Sequence, residues 1–284
     1  MKRIDIGTCV SGDMTESLIP QLLGLGYECF SINFHMSLGG IMLEDLATQV
    51  KELLSSSNAY VATLGLYCNP LQYDEHVKEL EYVIDSAKHF GANMVSTFAG
   101  GLEGRSVEEC MPAYKKVFGE LAKKAEAQNV TIAIENCNMG GDWYKVTDNI
   151  AFNPKAWEMM FNEVDSPNIG LEWEPGHQMV QLIDPIPQLK EWAKKVVHLH
   201  GKDANVSMYD VSKYGILGAE RFAQQRTPGF GDLDWRQVFT ILYQNGYEGS
   251  ICVEGFHDPI YKGELEIAGQ KHAYDYLKWC RGGV

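Results

Sequence analysis

Short apolar runs that alternate with helical segments constrain the fold of this chain more than any other feature of its sequence. Eight runs rich in β-branched residues recur along it, at residues 3–10, 27–34, 59–68, 93–99, 130–137, 169–175, 196–202 and 249–255. The segments between them place apolar residues three or four positions apart, which is typical of amphipathic helices. Strand followed by helix, eight times over, predicts a parallel sheet. In a chain of 284 residues, eight such units favour a closed (β/α)8 TIM barrel over an open doubly wound sheet.

Two of the helical segments are marked most clearly. Apolar side chains recur at spacings of three and four from 107 to 125, and again from 74 to 91, where Gly91 is a typical helix stop. An Asn or Asp directly before a proline predicts a helix N-cap followed by the first helical position. This pattern occurs at Asn153 and at Asp184, so we expect helices to begin at both places.

Composition and length predict a single domain. Hydrophobic residues make up 45% of the chain and charged residues 22%, as in an ordinary globular protein with a sizeable core. Because no linker or change of composition interrupts residues 1–284, we expect one TIM-barrel domain. The longest stretch without periodicity, at about 203–231, follows the seventh strand, and a connection of that length predicts a functional loop or lid.

Charge and apolar content argue against several classes of protein. A net charge of -14, from 24 Lys and Arg against 38 Asp and Glu, disfavours nucleic acid and anionic membranes as partners. The chain has no run of about 18 apolar residues, and its N-terminus lacks the apolar run and cleavage site of a signal peptide. The seven cysteines are scattered singly. We therefore expect a cytoplasmic protein with reduced thiols.

Acidic and imidazole side chains gather where four of the predicted strands end. They are Glu135 in strand five, Glu174 and His177 at the end of strand six, His198, His200, Lys202 and Asp203 around the end of strand seven, and Glu254, His257 and Asp258 at the end of strand eight. Any one such side chain is ordinarily a solvated loop residue, but a barrel brings its strand ends to one mouth. Several carboxylates crowded there repel one another unless a cation lies among them. The pattern therefore predicts a metal site.

Alternation along the strands separates the mouth from a deeper layer. Glu135 shares one face of strand five with the small residues Thr131 and Ala133, which indicates that this face points into the barrel. By the same alternation, Glu172 and His198 point inward but lie one layer deeper. We expect them to form a buried carboxylate–imidazole pair that supports the site rather than binding a metal directly.

The strand-end motifs resemble those of the sugar phosphate isomerase/epimerase family, whose fold is the xylose isomerase-like barrel. The resemblance covers nearly the whole chain and is carried by IENCN, GLEWEPGH, HLHGKD, RTPGFGDLDW and VEGFHD. It implies one metal held by Glu135, Glu174, His200 and Glu254. The family motif places the histidine ligand three residues before Asp203, which selects His200 over His198. Asp203, like Glu172 and His198, is expected to support the site.

The resemblance also implies residues that bind the substrate. His177 matches a histidine that contacts a substrate hydroxyl, and Arg226 lies in the Arg-x-Pro-Gly motif of the subfamily. Lys202 and His257 complete the expected substrate-binding set. The expected partner is a small-molecule sugar or keto-sugar, and because relatives are often dimers or tetramers, we expect a homodimer or homotetramer.

Two positions depart from the family pattern. Glu174 stands where most relatives have Asp, and the extra methylene moves the carboxylate by about 1.5 Å, roughly one bond length. Several ketose epimerases carry an arginine just after the strand-seven histidine, whereas Val206 occupies that neighbourhood here. The first departure makes Glu174 the least secure of the four ligands, and the second weakens a direct transfer of free-ketose specificity.

Three carboxylates and one imidazole make an oxygen-rich ligand set. Mn2+ is the expected metal, followed by Mg2+ or Co2+, while Zn2+ stays an option. The hypothesis is that the metal polarises the carbonyl of a hydroxyketone and stabilises a metal-bound enediolate. Glu135 and Glu254 would remove and return the proton α to the carbonyl, on opposite faces for epimerisation. The sequence thus predicts a metal-dependent sugar isomerase or epimerase.

Three alternatives stay open. Two other reactions begin with the same proton abstraction: aldose–ketose isomerisation, and elimination from a keto-sugar such as an inosose or a 3-keto-glycoside. A dehydratase or lyase is therefore the second hypothesis. A non-catalytic sugar-binding barrel is another. An apurinic endonuclease shares the barrel, but it needs three metals, many histidine ligands and a grip on DNA. Eight histidines and a net charge of -14 fit that function poorly.

Overall fold

A computed structural model describes residues 2–255 and 257–283 of the chain. Eight parallel strands close into a barrel, which confirms the (β/α)8 TIM-barrel prediction. The barrel strands are β1 (Asp5–Ser11), β2 (Cys29–His35), β3 (Tyr60–Tyr67), β4 (Met94–Thr97), β5 (Thr131–Glu135), β6 (Ile169–Trp173), β7 (Val196–Gly201) and β10 (Ser250–Val253). Each falls within or overlaps one of the eight predicted runs. Around the ring their order is β1-β10-β7-β6-β5-β4-β3-β2, so the first and last strands pair and close the barrel.

Helices connect the strands. They are α1 (Thr15–Leu25), α2 (Leu43–Leu54), α3 (Asp74–Ser86), α4 (Val107–Gln128), α5 (Pro154–Glu163), α6 (Pro175–Met179), α7 (Pro185–Trp192), α8 (Met208–Tyr214), α9 (Trp235–Gln244) and α10 (Glu266–Cys280). The predicted N-caps are confirmed, because the side chain of Asn153 accepts from the backbone of α5 and that of Asp184 from the backbone of α7. After α3 a short 3-10 turn ends at Gly91, whose φ of 72° is the left-handed conformation expected of a helix stop.

The stretch at 203–231 is more ordered than its sequence indicated. It contains β8 (Asp203–Val206) and β9 (Ala223–Arg226), which pair antiparallel, with α8 between them. None of the residues of α8 is buried, and Leu217 beyond it is 95% exposed. Four-residue strands that carry polar side chains and lie outside the barrel have no apolar alternation to reveal them, which is why the sequence predicted only a loop.

The apolar core lies between the barrel and its helices. Ile132 and Ile134 on β5 belong to it, as do Trp157 on α5 and Trp235 on α9. Glu135, on the other face of β5, is instead directed to the barrel mouth. Among the described residues, no helix has both the length and the apolar content needed to cross a membrane.

Candidate active site

Four buried side chains from neighbouring strands meet at the C-terminal end of the barrel. Nδ1 of His200 lies 2.8 Å from Oε1 of Glu135 and 3.3 Å from Oε2 of both Glu174 and Glu254. One ligand atom from each of these residues lies within 4.8 Å of those of the other three. The structure therefore brings together the four residues that the family resemblance implied as metal ligands. We call them the four-residue cluster.

The barrel strands place each member of the cluster at the mouth. Glu135 is the last residue of β5, and His200 is the penultimate residue of β7. Glu254 directly follows β10, where its N–H donates to the carbonyl of Gly201 at 3.1 Å. Glu174 directly follows β6 at the start of α6. Because these strands are parallel and adjacent, their carboxyl ends bring the four side chains to one point.

Asn136 holds the backbone of Glu174 in place. Its Oδ1 accepts a hydrogen bond from the N–H of Glu174 at 2.6 Å, and its Nδ2 donates to the carbonyl of Glu174 at 2.9 Å. With the backbone held in this way, the longer glutamate side chain brings its carboxylate to His200. The departure from the family's Asp therefore leaves Glu174 within the cluster.

Glu172 lies beneath the cluster and contacts the far side of its imidazole. Its Oε1 accepts from Ser96 Oγ at 2.6 Å and from Nδ1 of His198 at 2.7 Å, and it lies 3.3 Å from Nε2 of His200. Its Oε2 accepts from the hydroxyl of Tyr67 at 2.8 Å. The hydroxyl of Tyr67 also lies within hydrogen-bonding distance of Nε2 of His200, at 3.2 Å. The carboxylate and the hydroxyl together hold this side of the ring, which leaves Nδ1 facing the other three members of the cluster.

A buried lysine lies between two of the carboxylates. Nζ of Lys202 is 2.9 Å from Oε1 of Glu174 and 2.8 Å from Oε2 of Glu254. The direction of each N–O contact is unfavourable for a hydrogen bond, so both of these buried oxygens lack a hydrogen-bond partner among the described residues. The ammonium group therefore offsets part of the carboxylate charge, but it leaves hydrogen-bonding capacity on both oxygens.

Burial and mutual repulsion act on the carboxyl groups of the cluster. Burial raises the pKa of Glu135 well above its ordinary value, and the charge of Glu174 adds to the rise. Burial also acts to raise the pKa of Glu174, but the charges of His177 and Lys202 hold it well below the ordinary range. A carboxyl group driven toward its protonated form by burial and by a neighbouring carboxylate indicates a place where an added cation is stabilising.

The donor set fits a divalent metal. Three carboxylates and one imidazole nitrogen suit hard or borderline cations that accept several oxygen ligands, and Mn2+, Mg2+ and Co2+ all belong to this class. The buried oxygens beside Lys202 that lack hydrogen bonds support the same assignment. One such ion would be held by Glu135, Glu174, His200 and Glu254.

A cavity of about 640 Å³ adjoins the cluster. Three of the predicted substrate contacts line it, namely His177, Lys202 and His257. Nε2 of His177 lies 2.9 Å from Oε1 of Glu174, and Nε2 of His257 lies 3.3 Å from Oε1 of Glu254. Apolar side chains also line the cavity, among them Met14, Leu18, Phe34, Phe98 and Met139. A cavity with ionic and apolar lining suits a ligand that has both hydroxyl groups and apolar faces.

Arg226 is placed differently from the other predicted substrate contacts. Its Nε donates to Oδ2 of Asp258 at 3.0 Å, and its Nη1 donates to Oδ1 of Asn205 at 2.7 Å. The cavity is lined instead by the adjacent Gln225. Successive residues of a strand point to opposite faces, so the cavity-facing position of β9 falls one residue before Arg226.

Asp203 fastens the chain that follows β9 to the end of β7. Its Oδ1 accepts from the N–H of Leu233 at 3.1 Å, and its Oδ2 accepts from Nε1 of Trp235 at 3.0 Å. Both oxygens of Asp203 therefore accept hydrogen bonds from groups outside the four-residue cluster. Glu172, by contrast, lies 3.3 Å from His200 and accepts from His198.

The structure adds three residues that the sequence did not assign to the site. Asn136 stands beside Glu135 in the IENCN motif, and Tyr67 is the penultimate residue of the predicted strand at 59–68, so position along the strands was an available signal for both. Gln225 had no such signal, because β9 is hidden in a polar stretch.

Comparisons with known proteins agree with this architecture. Residues 20–280 match a family model described as a xylose isomerase-like TIM barrel. An inosose dehydratase from Clostridium tetani is 30% identical over 162 residues, which are 56% of this chain and 51% of that protein. The chain thus spans about half the length of the curated relatives it matches.

Solved structures show the same fold at low sequence identity. A xylose isomerase domain protein from Planctomyces limnophilus matches with a TM-score of 0.76 and 17% identity, over 100% of this chain and 98% of the other. A 3-keto-D-glucoside 4-epimerase from E. coli matches with a TM-score of 0.71 and 16% identity, over 98% of this chain and 99% of the other. These similarities establish a shared fold.

Proposed function

This chain belongs to the family of xylose isomerase-like TIM barrels, and we propose that it is a divalent-metal-dependent sugar isomerase or epimerase. The observation that carries the proposal is the convergence of three buried carboxylates on Nδ1 of His200 beside a cavity of about 640 Å³. A keto-sugar, with adjacent carbonyl and hydroxyl oxygens, is the substrate class that suits a cation held in such a place.

Two glutamates are proposed to move the proton. A bound metal supplies Lewis acidity that polarises the substrate carbonyl. Glu135 takes the proton from the carbon next to the carbonyl, and the electron pair of that C–H bond forms the C=C bond of an enediolate while charge passes to the carbonyl oxygen. Glu254, after taking a proton from solvent, gives it to the opposite face, which inverts that carbon, and Glu135 then releases its own proton to solvent. Strands β6 and β7 separate β5 from β10 around the ring, which supports the approach of Glu135 and Glu254 to the substrate carbon from two sides.

The cavity walls are proposed to orient the sugar. Lys202 and His177 line the cavity and lie within 2.9 Å of Glu174, so their N–H groups are placed to hold substrate hydroxyls. Phe34 and Phe98 lie on its apolar part and offer surfaces for the apolar face of a sugar ring. Return of the proton to the neighbouring carbon, rather than the same carbon, would give aldose–ketose isomerisation.

Elimination of water is the second candidate. It is favoured by the 30% identity to an inosose dehydratase over 56% of this chain. The same abstraction by Glu135 starts it, and the enediolate then expels a β-hydroxyl, which leaves as water after accepting a proton from the acid form of Glu254. The two candidates therefore share their first step and differ in the product.

Solvent exchange followed by product analysis tests the proposal. Protein loaded with Mn2+ is incubated in D2O with free ketoses, inososes and 3-keto-glucosides, and 1H NMR follows the α-hydrogen. We expect deuterium to enter one of these classes, with an epimer or isomer as product, and Glu135→Gln to lower that rate by at least about 100-fold. The exposed Glu126→Gln is the matched control and should retain the rate.

The outcomes separate the candidates. An unsaturated product that has lost water would assign elimination in place of isomerisation. Absence of exchange for every class, with Mn2+, Mg2+ or Co2+ bound, would overturn the enzyme assignment and favour a sugar-binding barrel.

A further inference from the structure

Gln225 links the long segment after β7 to the cavity at the four-residue cluster. Among the described residues that line this cavity, it is the one that comes from 203–231. It lies on β9, where it is paired with Ala204 of β8, and its side chain is partly exposed. The proposed reaction gives Gln225 no part. A polar side chain in such a place is either a solvated residue of the rim or a contact that the site uses.

The backbone around Gln225 is fastened on the side away from the cavity. The guanidinium of the next residue, Arg226, binds Asn205 and Asp258. The N–H of Thr227 donates to Oδ2 of Asp258 at 2.9 Å. Because successive residues of a strand point to opposite faces, these contacts hold the side chain of Gln225 on the cavity side.

The amide of Gln225 contacts the imidazole of His177. Its Nε2 lies within hydrogen-bonding distance of Nδ1 of His177, at 3.3 Å. The other ring nitrogen of His177, Nε2, lies 2.9 Å from Oε1 of Glu174. An ionised carboxylate only accepts hydrogen bonds, so this second contact is favourable when the ring proton is on Nε2. In the neutral imidazole Nδ1 is then an acceptor, and the NH2 group of Gln225 is its donor.

His177 is therefore held at three points. Nε2 of Gln181 donates to its backbone carbonyl at 2.7 Å, and its two ring nitrogens contact Gln225 and Glu174. The ring itself lines the cavity. A histidine whose second nitrogen has a fixed partner keeps one tautomer and one ring orientation. The N–H group that the proposed function uses for a substrate hydroxyl thus keeps its direction, and a neutral amide achieves this without adding charge beside the cluster.

We infer that Gln225 is a positioning residue for His177. It donates a hydrogen bond to Nδ1, which keeps the ring proton on Nε2, beside Glu174. The segment that follows β7 takes part in the site through this contact, although it supplies none of the proposed metal ligands. The inference rests on the proposed function in one respect, because the substrate hydroxyl belongs to that function, whereas the hydrogen bond to the ring does not depend on it.

Histidine NMR tests the hydrogen bond without any substrate. The full-length, metal-free protein is labelled with 15N at histidine and studied at about pH 8.5, where an ordinary imidazole is neutral. The resonances of His177 are assigned by their absence in His177→Gln. In the parent we expect Nδ1 of His177 to carry no proton. In Gln225→Glu, which has the same shape, the carboxylate accepts but does not donate, so we expect Nδ1 to become protonated.

Gln224 provides the matched control. It is the preceding residue of β9, it is exposed, and it is not among the residues that line the cavity. Gln224→Glu therefore adds the same charge on the opposite face of the strand and should leave Nδ1 of His177 without a proton. Gln225→Met, which removes the donor without adding charge, should shift the Nδ1 resonance, whereas Gln224→Met should not. Circular dichroism confirms that the variants fold.

Steady-state kinetics test the effect on the substrate. With the keto-sugar that exchanges its α-hydrogen in D2O, we expect Gln225→Met to raise KM by about three- to tenfold, the effect of one weakened hydrogen bond. The kcat should change less than about threefold, because Glu135 and Glu254 still move the proton. Gln224→Met should leave both constants unchanged. A residue that only maintained the fold would not change KM alone.

Three results would overturn the inference. The first is a protonated Nδ1 of His177 in the parent. The second is an Nδ1 that stays unprotonated in Gln225→Glu and unshifted in Gln225→Met. The third is equal KM values for Gln225→Met and Gln224→Met. Failure of the proposed function is recognised separately, because the parent would then exchange no keto-sugar, while the NMR measurements would still decide whether Gln225 positions the ring.

Discussion

Nε2 of His200 lies 3.3 Å from Oε1 of Glu172, while Nδ1 of the same ring lies 2.8 Å from Oε1 of Glu135. The imidazole is thus held between a deep carboxylate and the mouth of the barrel, and it presents one nitrogen to the proposed metal. Glu172 is itself held by Ser96 and Tyr67. Histidine ligands with such a partner are fixed in orientation and are more basic. The deep carboxylate should therefore control metal affinity without touching the metal.

Glu172→Gln is expected to weaken the binding of Mn2+ by about 10- to 100-fold. The amide keeps the shape of the side chain but loses the charge, and its NH2 group must face a donor hydroxyl or imidazole N–H. Isothermal titration calorimetry of the metal-free protein measures the change. Glu126→Gln, on the exposed face of α4, serves as the control and should bind Mn2+ as the parent does. Unchanged affinity in Glu172→Gln would show that the deep carboxylate only fills space.

Lys202→Met is expected to destabilise the metal-free protein strongly. Removal of the ammonium leaves Glu174 and Glu254 buried without the cation that lies 2.9 and 2.8 Å from them, and breaking a buried pair costs about 3–5 kcal/mol. Because Mn2+ supplies positive charge at the same carboxylates, its addition should raise the Tm of the variant more than that of the parent.

Thermal unfolding with and without Mn2+ measures the effect of Lys202→Met. The control is Lys123→Met, because Lys123 pairs with Glu120 on the surface, where both side chains are more than 70% exposed. That pair should contribute less than about 1 kcal/mol. An equal gain in Tm from Mn2+ in the parent and in Lys202→Met would contradict the prediction that the lysine and the metal neutralise the same carboxylates.

The sequence predicted the barrel because its strands and helices each carry a local periodic pattern. Alternation along β5 separates Ile132 and Ile134, which face the helices, from Glu135, which reaches the mouth. Parallel strands bring their ends together whatever the details of packing, so position along the strands predicted that acidic and imidazole side chains gather at the mouth. The choice of four of them as ligands came from the family resemblance. The deeper pair of Glu172 and His198 followed from the same alternation.

Other parts of the site depend on contacts that no local pattern encodes. Gln225 reaches the cavity through the pairing of β9 with β8, and these short polar strands lie outside the barrel. Arg226 is held by Asp258, a residue 32 positions away. Asn136 braces Glu174 across two strands through side-chain hydrogen bonds. Each of these arrangements becomes visible only when distant segments are placed in space.

Glu174→Asp, which introduces the residue expected from the family resemblance, is expected to weaken Mn2+ binding by about tenfold, or 1.4 kcal/mol. Asn136 fixes the backbone at this position, so the shorter side chain draws its carboxylate back by about 1.5 Å from His200 and Lys202. Titration calorimetry on the metal-free protein measures the affinity. Asp184→Glu, a change of one methylene at a helix N-cap away from the cluster, controls for chain length. Tighter binding in Glu174→Asp would show that the glutamate is not adapted to this backbone.

Arg281, near the C-terminus, binds Glu28 and the backbone of Ile4 in the N-terminal part of the chain. Nη1 of Arg281 donates to Oε2 of Glu28 at 2.6 Å and to the carbonyl of Ile4 at 2.8 Å. Burial acts to raise the pKa of Glu28, but hydrogen bonds from Arg281 and from the N–H of Ile6 lower it below its ordinary 4.5. Below pH 4.5 the unfolded chain therefore binds more protons at this residue than the folded chain. The stabilisation is complete above that pH, and it is lost as the pH falls through the lowered pKa that Glu28 has in the folded protein.

Glu28→Gln is accordingly expected to lower the free energy of unfolding by about 1.5–3 kcal/mol near neutral pH, because hydrogen bonds to a charged group are weakened. In strong acid the parent also carries an uncharged side chain at this position, so the difference should shrink as the pH falls below 4.5. Urea unfolding at a series of pH values measures the free energy of unfolding of the parent and of Glu28→Gln. Glu126→Gln shows the effect of removing an exposed charge. Because Arg281 is buried and also binds Ile4, Arg281→Met should cost more than Glu28→Gln at every pH. A difference between Glu28→Gln and the parent that stays constant into strong acid would assign the stabilisation to packing instead of charge.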